Sequence, residues 1–187
     1  MTMSKASWRL AEDHNAIDQV LKELKAALEI GDVETSHAKL DLFWARLAVH
    51  IRAEHLHLFP AVVTGAREKT SDDASGPLLS EAIAAVDQLR NDHNFLMHEL
   101  ADAIQAIRKL GKFSDKRINL EGLNRVQNIV REIERRLASH NQLEEQQIYQ
   151  WVDVVLSEQG QAQLQTRIAR ELANKPPRFS AETWQHS

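Results

Sequence analysis

The chain contains no cysteine. Thiol redox chemistry, disulfides, and zinc or iron–sulfur sites built on thiolates are therefore excluded. Glycine and proline are scarce, at 6 and 4 of 187 residues, and aromatic residues make up only 5%. A sequence this poor in turn formers and rings leans towards helix. The net charge is small, −4 with nine histidines counted as neutral, so there is no electrostatic case for a nucleic-acid partner. No apolar run approaches the ~20 residues that span a bilayer. No signal-peptide core follows Met1-Thr2-Met3-Ser4-Lys5. The expectation is a cytoplasmic protein with neither nucleic acid nor membrane as its partner.

What is present is an ordinary globular balance, 43% hydrophobic and 27% charged, long enough for one domain with a real core. Apolar residues recur at helical spacing. The first helix is expected from about Ser7, as N-cap, to Ile30, with Gly31 as its stop. Leu10, Ile17, Leu21, Leu24 and Leu28 form its stripe, and His14 lies on that stripe. A second helix runs from near Val33 through Leu40, Phe43, Leu47 and His50 to Phe59. Pro60 is expected to end or kink it, with a helical continuation over Ala61 to Lys69. Residues 70–77 read as a loop.

The third helix, Leu78 to Leu110, carries Val86, Leu89, His93, Met97, Leu100, Ile104 and Ile107, with Gly111 as its stop. The fourth, from near Ile118 to Ser157, carries Val126, Ile133, Leu137, His140, Glu144 and Ile148. A shorter segment, Ala162 to Leu172, follows Gly160 and is expected on the outside or over one end. Together these predict an all-α, antiparallel up-down four-helix bundle with a short additional C-terminal helix. The domain spans residues 1–175, and 176–187 form a loose tail.

The two halves echo each other. Asp13-His14-Asn15 returns as Asp92-His93-Asn94, and Leu47-x2-His50-x3-Glu54 returns as Leu137-x2-His140-x3-Glu144. A histidine and a glutamate four residues apart share one helix face. One such pair is usually a surface pair or chance. Two copies, each with a partner histidine on the preceding helix's apolar stripe, are much harder to dismiss. Two carboxylates buried together without a cation are costly, and one would have to protonate. Metal coordination removes that cost. The candidate ligands are thus His14, His50, Glu54, His93, His140 and Glu144. Imidazole and carboxylate without thiolate suit iron, manganese or zinc. Two-fold symmetry would set two equivalent sets of donors about a common centre, with open positions that favour redox iron over structural zinc.

This six-residue constellation, over roughly residues 7–157, resembles the hemerythrin-like HHE cation-binding domain. The resemblance implies a four-helix bundle holding two non-heme iron ions with an oxo or hydroxo bridge. It implies that His14 and His50 bind one iron, that His93 and His140 bind the other, and that Glu54 and Glu144 bridge them. The family's oxygen carriers have a further histidine where this chain has Met97, so their asymmetric site is not reproduced. The pattern is more similar to bacterial relatives linked to iron-centre repair and to nitric oxide or peroxide handling, although the repair proteins carry a cysteine-containing segment. The implied function is binding or sensing of a small oxidant (O2, NO or peroxide) at an open carboxylate-bridged site. The alternative is a di-iron enzyme with peroxidase- or catalase-like or nitric-oxide-handling activity. The residues leave binding and turnover open.

Other candidates are set aside. His57 and Gln147, at matching positions, are expected behind the ligands or at the end of the pocket, and the sequence leaves open whether His57 contacts metal. His55 and His98 are expected on the surface, and His37 and His186 without partners. Tyr149, the only tyrosine, falls about half a turn from His140 on an ideal helix and is given no role. Asp13 and Asp92 either orient their neighbours or are solvated. Leu47, Met97 and Leu137 are expected to line an apolar pocket, and Trp151 to lie in the core.

Overall fold

A computed structural model describes residues 5–68, 76–110 and 116–179. Every regular element among them is helical. Helix α1 spans Lys5–Glu29, so it is already under way at Ser7, which is not its cap. It ends at Gly31, whose φ of +74° suits a residue without a Cβ. Gly31 N–H donates to the Leu28 carbonyl and Asp32 N–H to the Ala27 carbonyl, which closes the helix end. Asp32 then accepts from Thr35 N–H and caps α2, Val33–Ala53. One residue thus stops one helix and the next starts the other.

The second rod does not stop at Pro60. A π-helical turn, Glu54–Leu58, follows α2 and leads directly into α3, Phe59–Glu68. In that turn Phe59 N–H reaches back five residues to the Glu54 carbonyl. Helix α4 covers Leu79–Ile107, and Gly111, its expected stop, lies outside the described residues, as does most of the 70–77 loop. Helix α5, Lys116–Leu143, passes through a second π-helical turn, Glu144–Ile148, into α6, Tyr149–Val155. The second turn has no proline near it, so Pro60 is not the common cause. Each π turn opens with the glutamate of a His-x3-Glu pair.

Ser157 caps the last helix, α7, over Glu158–Leu172. That helix therefore begins four residues before the expected Ala162 and takes Gly160 into its first turn. It packs on α1, α2 and the first π turn. The expected loose tail is pinned at its start. Arg178 pairs with Asp41, stands over Trp44 and Phe179, and Phe179 packs against the core. Residues 180–187 lie outside the described residues.

The core has two apolar clusters. One joins Ile17 to Leu28, Leu40 to Leu47, Leu96 to Leu110, and Val126 to Leu137. The other joins Leu10, Ala53, Leu58, Phe59, Val62, Ala82 to Leu89, Ile148, Tyr149, Val152, Leu164 and Ile168. His14, His50, His93 and His140 each fall at the crossing from one cluster to the other. Where α3 meets α6, Gly65 lets the helices approach closely. A Cβ there would lie 2.6 Å from Val155 Cγ2 and 2.9 Å from the Val155 carbonyl oxygen. No helix among the described residues is long and apolar enough to cross a membrane.

Candidate metal centre

All six expected ligands come together, buried, in the layer between the two clusters. Their donor atoms form two overlapping groups. One is His14, His50, Glu54 and Glu144, and the other is Glu54, His93, His140 and Glu144. The carboxylates belong to both. Glu54 sets Oε1 2.9 Å from His50 Nε2 and Oε2 3.2 Å from His93 Nε2. Glu144 sets Oε2 3.3 Å from His14 Nε2 and Oε1 3.4 Å from His140 Nε2. Each glutamate thus presents one oxygen to each pair of histidines.

The histidines also face one another. His14 Nε2 lies 3.1 Å from His50 Nε2, and His93 Nε2 lies 3.0 Å from His140 Nε2. The outer nitrogens of the first pair are hydrogen-bonded. His50 Nδ1–H donates to Asp13 Oδ2 at 2.9 Å and His14 Nδ1–H to Glu145 Oε1 at 3.1 Å. A neutral imidazole has one proton. With that proton on Nδ1, each Nε2 presents a lone pair to the centre. The first group is therefore four acceptors facing one another with no donor among them. Only a cation, whether protons or a metal ion, relieves that arrangement. Glu54 Oε1 and Oε2 and Glu144 Oε1 are inaccessible and have no aligned hydrogen-bond partner, although histidine nitrogens stand within ion-pair distance of them. The spacing suits a metal. Two imidazole nitrogens bound to one ion at about 2.1 Å each, near a right angle, lie roughly 3 Å apart. The donor set and its separations fit a transition-metal ion.

Without a metal, protons fill the same role. Burial pushes His50 down, but Glu54 and Asp13 outweigh it and hold the ring well above its ordinary basicity. His14 is likewise raised, burial being outweighed by Glu144 and Glu145. For His140, burial is outweighed by Glu144, Asp92 and Glu54, and its pKa rises to about 10. Burial would raise Glu54, yet His50 and His93 hold it well below the usual carboxylate range. Glu144 is pushed up by burial and by Glu54, but His140 and His14 bring it below its ordinary value. Metal uptake must therefore displace protons.

Around these six residues lies a further set of side chains, of which the sequence singles out only Asp13 and Asp92 as groups that could orient their neighbours. Arg46 Nη2 donates to Asp13 Oδ1 at 3.3 Å, which completes an Arg46–Asp13–His50 chain. Arg136 and Asp92 occupy the matching places beside His140 at longer distances, Arg136 to Asp92 at 3.5 Å and Asp92 to His140 at 3.6 Å. Asp13 and Asp92 are thus placed to orient ligands rather than left in solvent. The ring of Phe59 stacks on His93 and that of Tyr149 on His14. The Tyr149 hydroxyl lies 3.4 Å from Glu144 Oε2 and 3.4 Å from His14 Nε2. An unbroken α-helix would turn Tyr149 away from His140. The π turn carries an extra residue and stacks position 149 beneath position 144.

His55, expected on the surface, sets Nε2 2.9 Å from His93 Nδ1. His57 is outside the cluster, half-buried and 3.8 Å from the Glu171 carboxylate of α7. Gln147 is exposed rather than at a pocket end, while His98 is exposed as expected. His37 has a partner, accepting from Arg108 at 3.4 Å, and His186 lies outside the described residues. Met97 and Trp151 are partly buried against the two clusters, whereas Leu47 and Leu137 are buried. One sequence signal could have found the arginines, because Arg46-Leu47-x2-His50 and Arg136-Leu137-x2-His140 repeat together.

No family model, curated protein or solved structure matches the chain. The chemistry of the centre therefore rests on its own atoms. They form a buried His/Glu cluster, closed off by apolar layers, that can hold a metal ion.

Proposed function

We propose that the cluster is a dinuclear centre for two non-heme iron ions in a hemerythrin-like protein, and that it binds or senses a small oxidant such as O2, NO or peroxide. The observation that carries this reading is the placement of each glutamate, one oxygen towards each histidine pair. A single ion would use only one side of each carboxylate. In this reading His14 and His50 hold one ion, His93 and His140 the other, and Glu54 and Glu144 bridge. The supporting scaffold is an antiparallel up-down four-helix bundle with α7 as the additional helix. Successive long helices enter the histidine layer from alternate apolar clusters, as that arrangement requires.

Bound iron would supply reversible electron transfer to a small ligand. The protein's own groups do the rest. Asp13 and Glu145 keep the protons of His50 and His14 on Nδ1, which leaves Nε2 free to bind. The carboxylates offset cationic charge in a buried layer. The apolar residues on either side exclude solvent and slow loss of the reduced state.

A second reading, catalytic turnover of peroxide or nitric oxide, is favoured by Tyr149. Its hydroxyl proton is held beside Glu144 and His14, where a bound ligand could take it. Burial and then Glu144 push its pKa well up, so it stays protonated. Elemental analysis of protein purified without chelator should give about two irons per chain, with visible absorption that chelation abolishes. No iron, or one tightly held zinc, would sink both readings. With iron present, a reversible spectral change on adding O2 or NO supports binding, and sustained peroxide or NO consumption supports turnover.

A further inference from the structure

We propose that the two halves of the centre are unequal, that the His14/His50 half binds its ion more tightly, and that Glu145 and His55 set the difference. This rests on the two-ion reading above. The residue after each bridging glutamate reaches across to the other half of the chain and meets the outer nitrogen of a ligand histidine. After Glu144 it is Glu145, whose Oε1 lies 3.1 Å from His14 Nδ1. After Glu54 it is His55, whose Nε2 lies 2.9 Å from His93 Nδ1. These are matching positions with different chemistry. A carboxylate behind an imidazole raises its donor strength and stabilises positive charge beyond it, whereas a second imidazole brings no charge.

The other outer contact points the same way. His50 has Asp13 at 2.9 Å, within hydrogen-bond range, and His140 has Asp92 at 3.6 Å, beyond it. The first half therefore has two carboxylates hydrogen-bonded directly to its histidines, and the second has none. One opposing effect must be weighed. The Glu145 side chain is 46% exposed and Asp92 is buried, so water screens the first charge more than the second. Direct contact preserves the order, and screening reduces its size. Outer-partner changes typically alter metal affinity by 10–100-fold, and the low end of about tenfold is expected for Glu145. Glu145 and His55 are positioning residues, since neither belongs to the donor groups that face the centre.

The test is an anaerobic titration of chelator-treated protein with Co2+, followed by its visible spectrum and by calorimetry. Two ions should bind in two steps, the first at least about tenfold tighter. In His93→Ala the remaining ion should keep the tight constant, and in His14→Ala it should show the weak one. Glu145→Gln retains an acceptor oxygen without the charge and should loosen the first step. His55→Glu should tighten the second step, a gain that mere structural damage cannot produce. Two ions bound with equal constants, or steps indifferent to both substitutions, would overturn this inference alone. Fewer than two ions in the unaltered protein would overturn the two-ion reading and this inference together.

Discussion

Residues 13–59 and 92–149 bring matching groups to the centre, an aspartate, two histidines, an arginine and a glutamate. In each half an arginine and a histidine flank the aspartate, by hydrogen bonds at Asp13 and at longer ion-pair distances at Asp92, and the glutamate reaches across the middle. Outside that set the halves differ. Tyr149 stands where the other half has Phe59, and Glu145 where it has His55. Arg46 is buried, whereas Arg136 is about half exposed. The residues that would touch a cation are alike because coordination dictates their chemistry and their spacing. Those one contact further out can differ, and that is where one ion could be made unlike the other.

The largest effect is expected on removing first a residue common to both donor groups and then one that belongs to a single group. Glu144→Ala takes a donor from both groups, and metal content should fall below one ion per chain. His140→Ala takes a donor from one group only, and about one ion should remain. Equal losses in elemental analysis would mean that the groups do not share the carboxylates.

Next in size is pH, in chelator-treated protein. His140 titrates at about 10 in the folded chain and near 6.5 when unfolded. Its stabilisation is complete below about pH 6.5 and is lost as pH rises towards that folded value. The slope is about 1.4 kcal/mol per pH unit for each such group. His14 and His50, also raised, steepen the decline. Glu54, held low, acts oppositely, and its contribution is lost in acid. Urea midpoints should therefore fall between pH 6 and pH 9 without metal, and change less with metal bound. A flat profile after chelation would contradict the protonated centre.

A smaller effect separates the two arginines. Arg46→Ala strands Asp13 and His50 in a buried pair and should cost about 3 kcal/mol. Arg136→Ala, at a half-exposed pair, should cost under about 1 kcal/mol. Similar losses for both would show that the difference in burial has no energetic weight. Smallest is Tyr149→Phe, which makes the second half resemble the first. It removes the 3.4 Å hydrogen bonds of the hydroxyl and should cost about 0.5 kcal/mol in urea unfolding. A loss of several kcal/mol would mean that the hydroxyl is holding the centre together.

That these six residues share a site was legible in the sequence because the His-x3-Glu pattern recurs and one turn of α-helix keeps it intact. All six reach the cluster, and the helical class follows from the apolar spacing. Tyr149, His55 and Glu145 were not legible because both π turns begin at the glutamates. A period of 3.6 residues cannot be carried through them, and no residue common to the two π turns, EHLHL and EEQQI, other than their first glutamate and apolar last residue marks them in advance. Helix starts were misread at Ser7 and Ala162 because propensity places ends loosely. The arginines carried a visible signal, the extended repeat, that ligand spacing alone passes over.

Gly65 and Val155 occupy matching positions, 90 residues apart, and they meet where α3 crosses α6. The internal symmetry therefore brings this position face to face with its own counterpart. If the halves were identical there, two valines would overlap and two glycines would leave a gap. A large residue against none is the solution that closes the contact, and a symmetric pair of separate chains could not adopt it. Joining the halves in one polypeptide lets the two sides of this crossing be cut to different sizes.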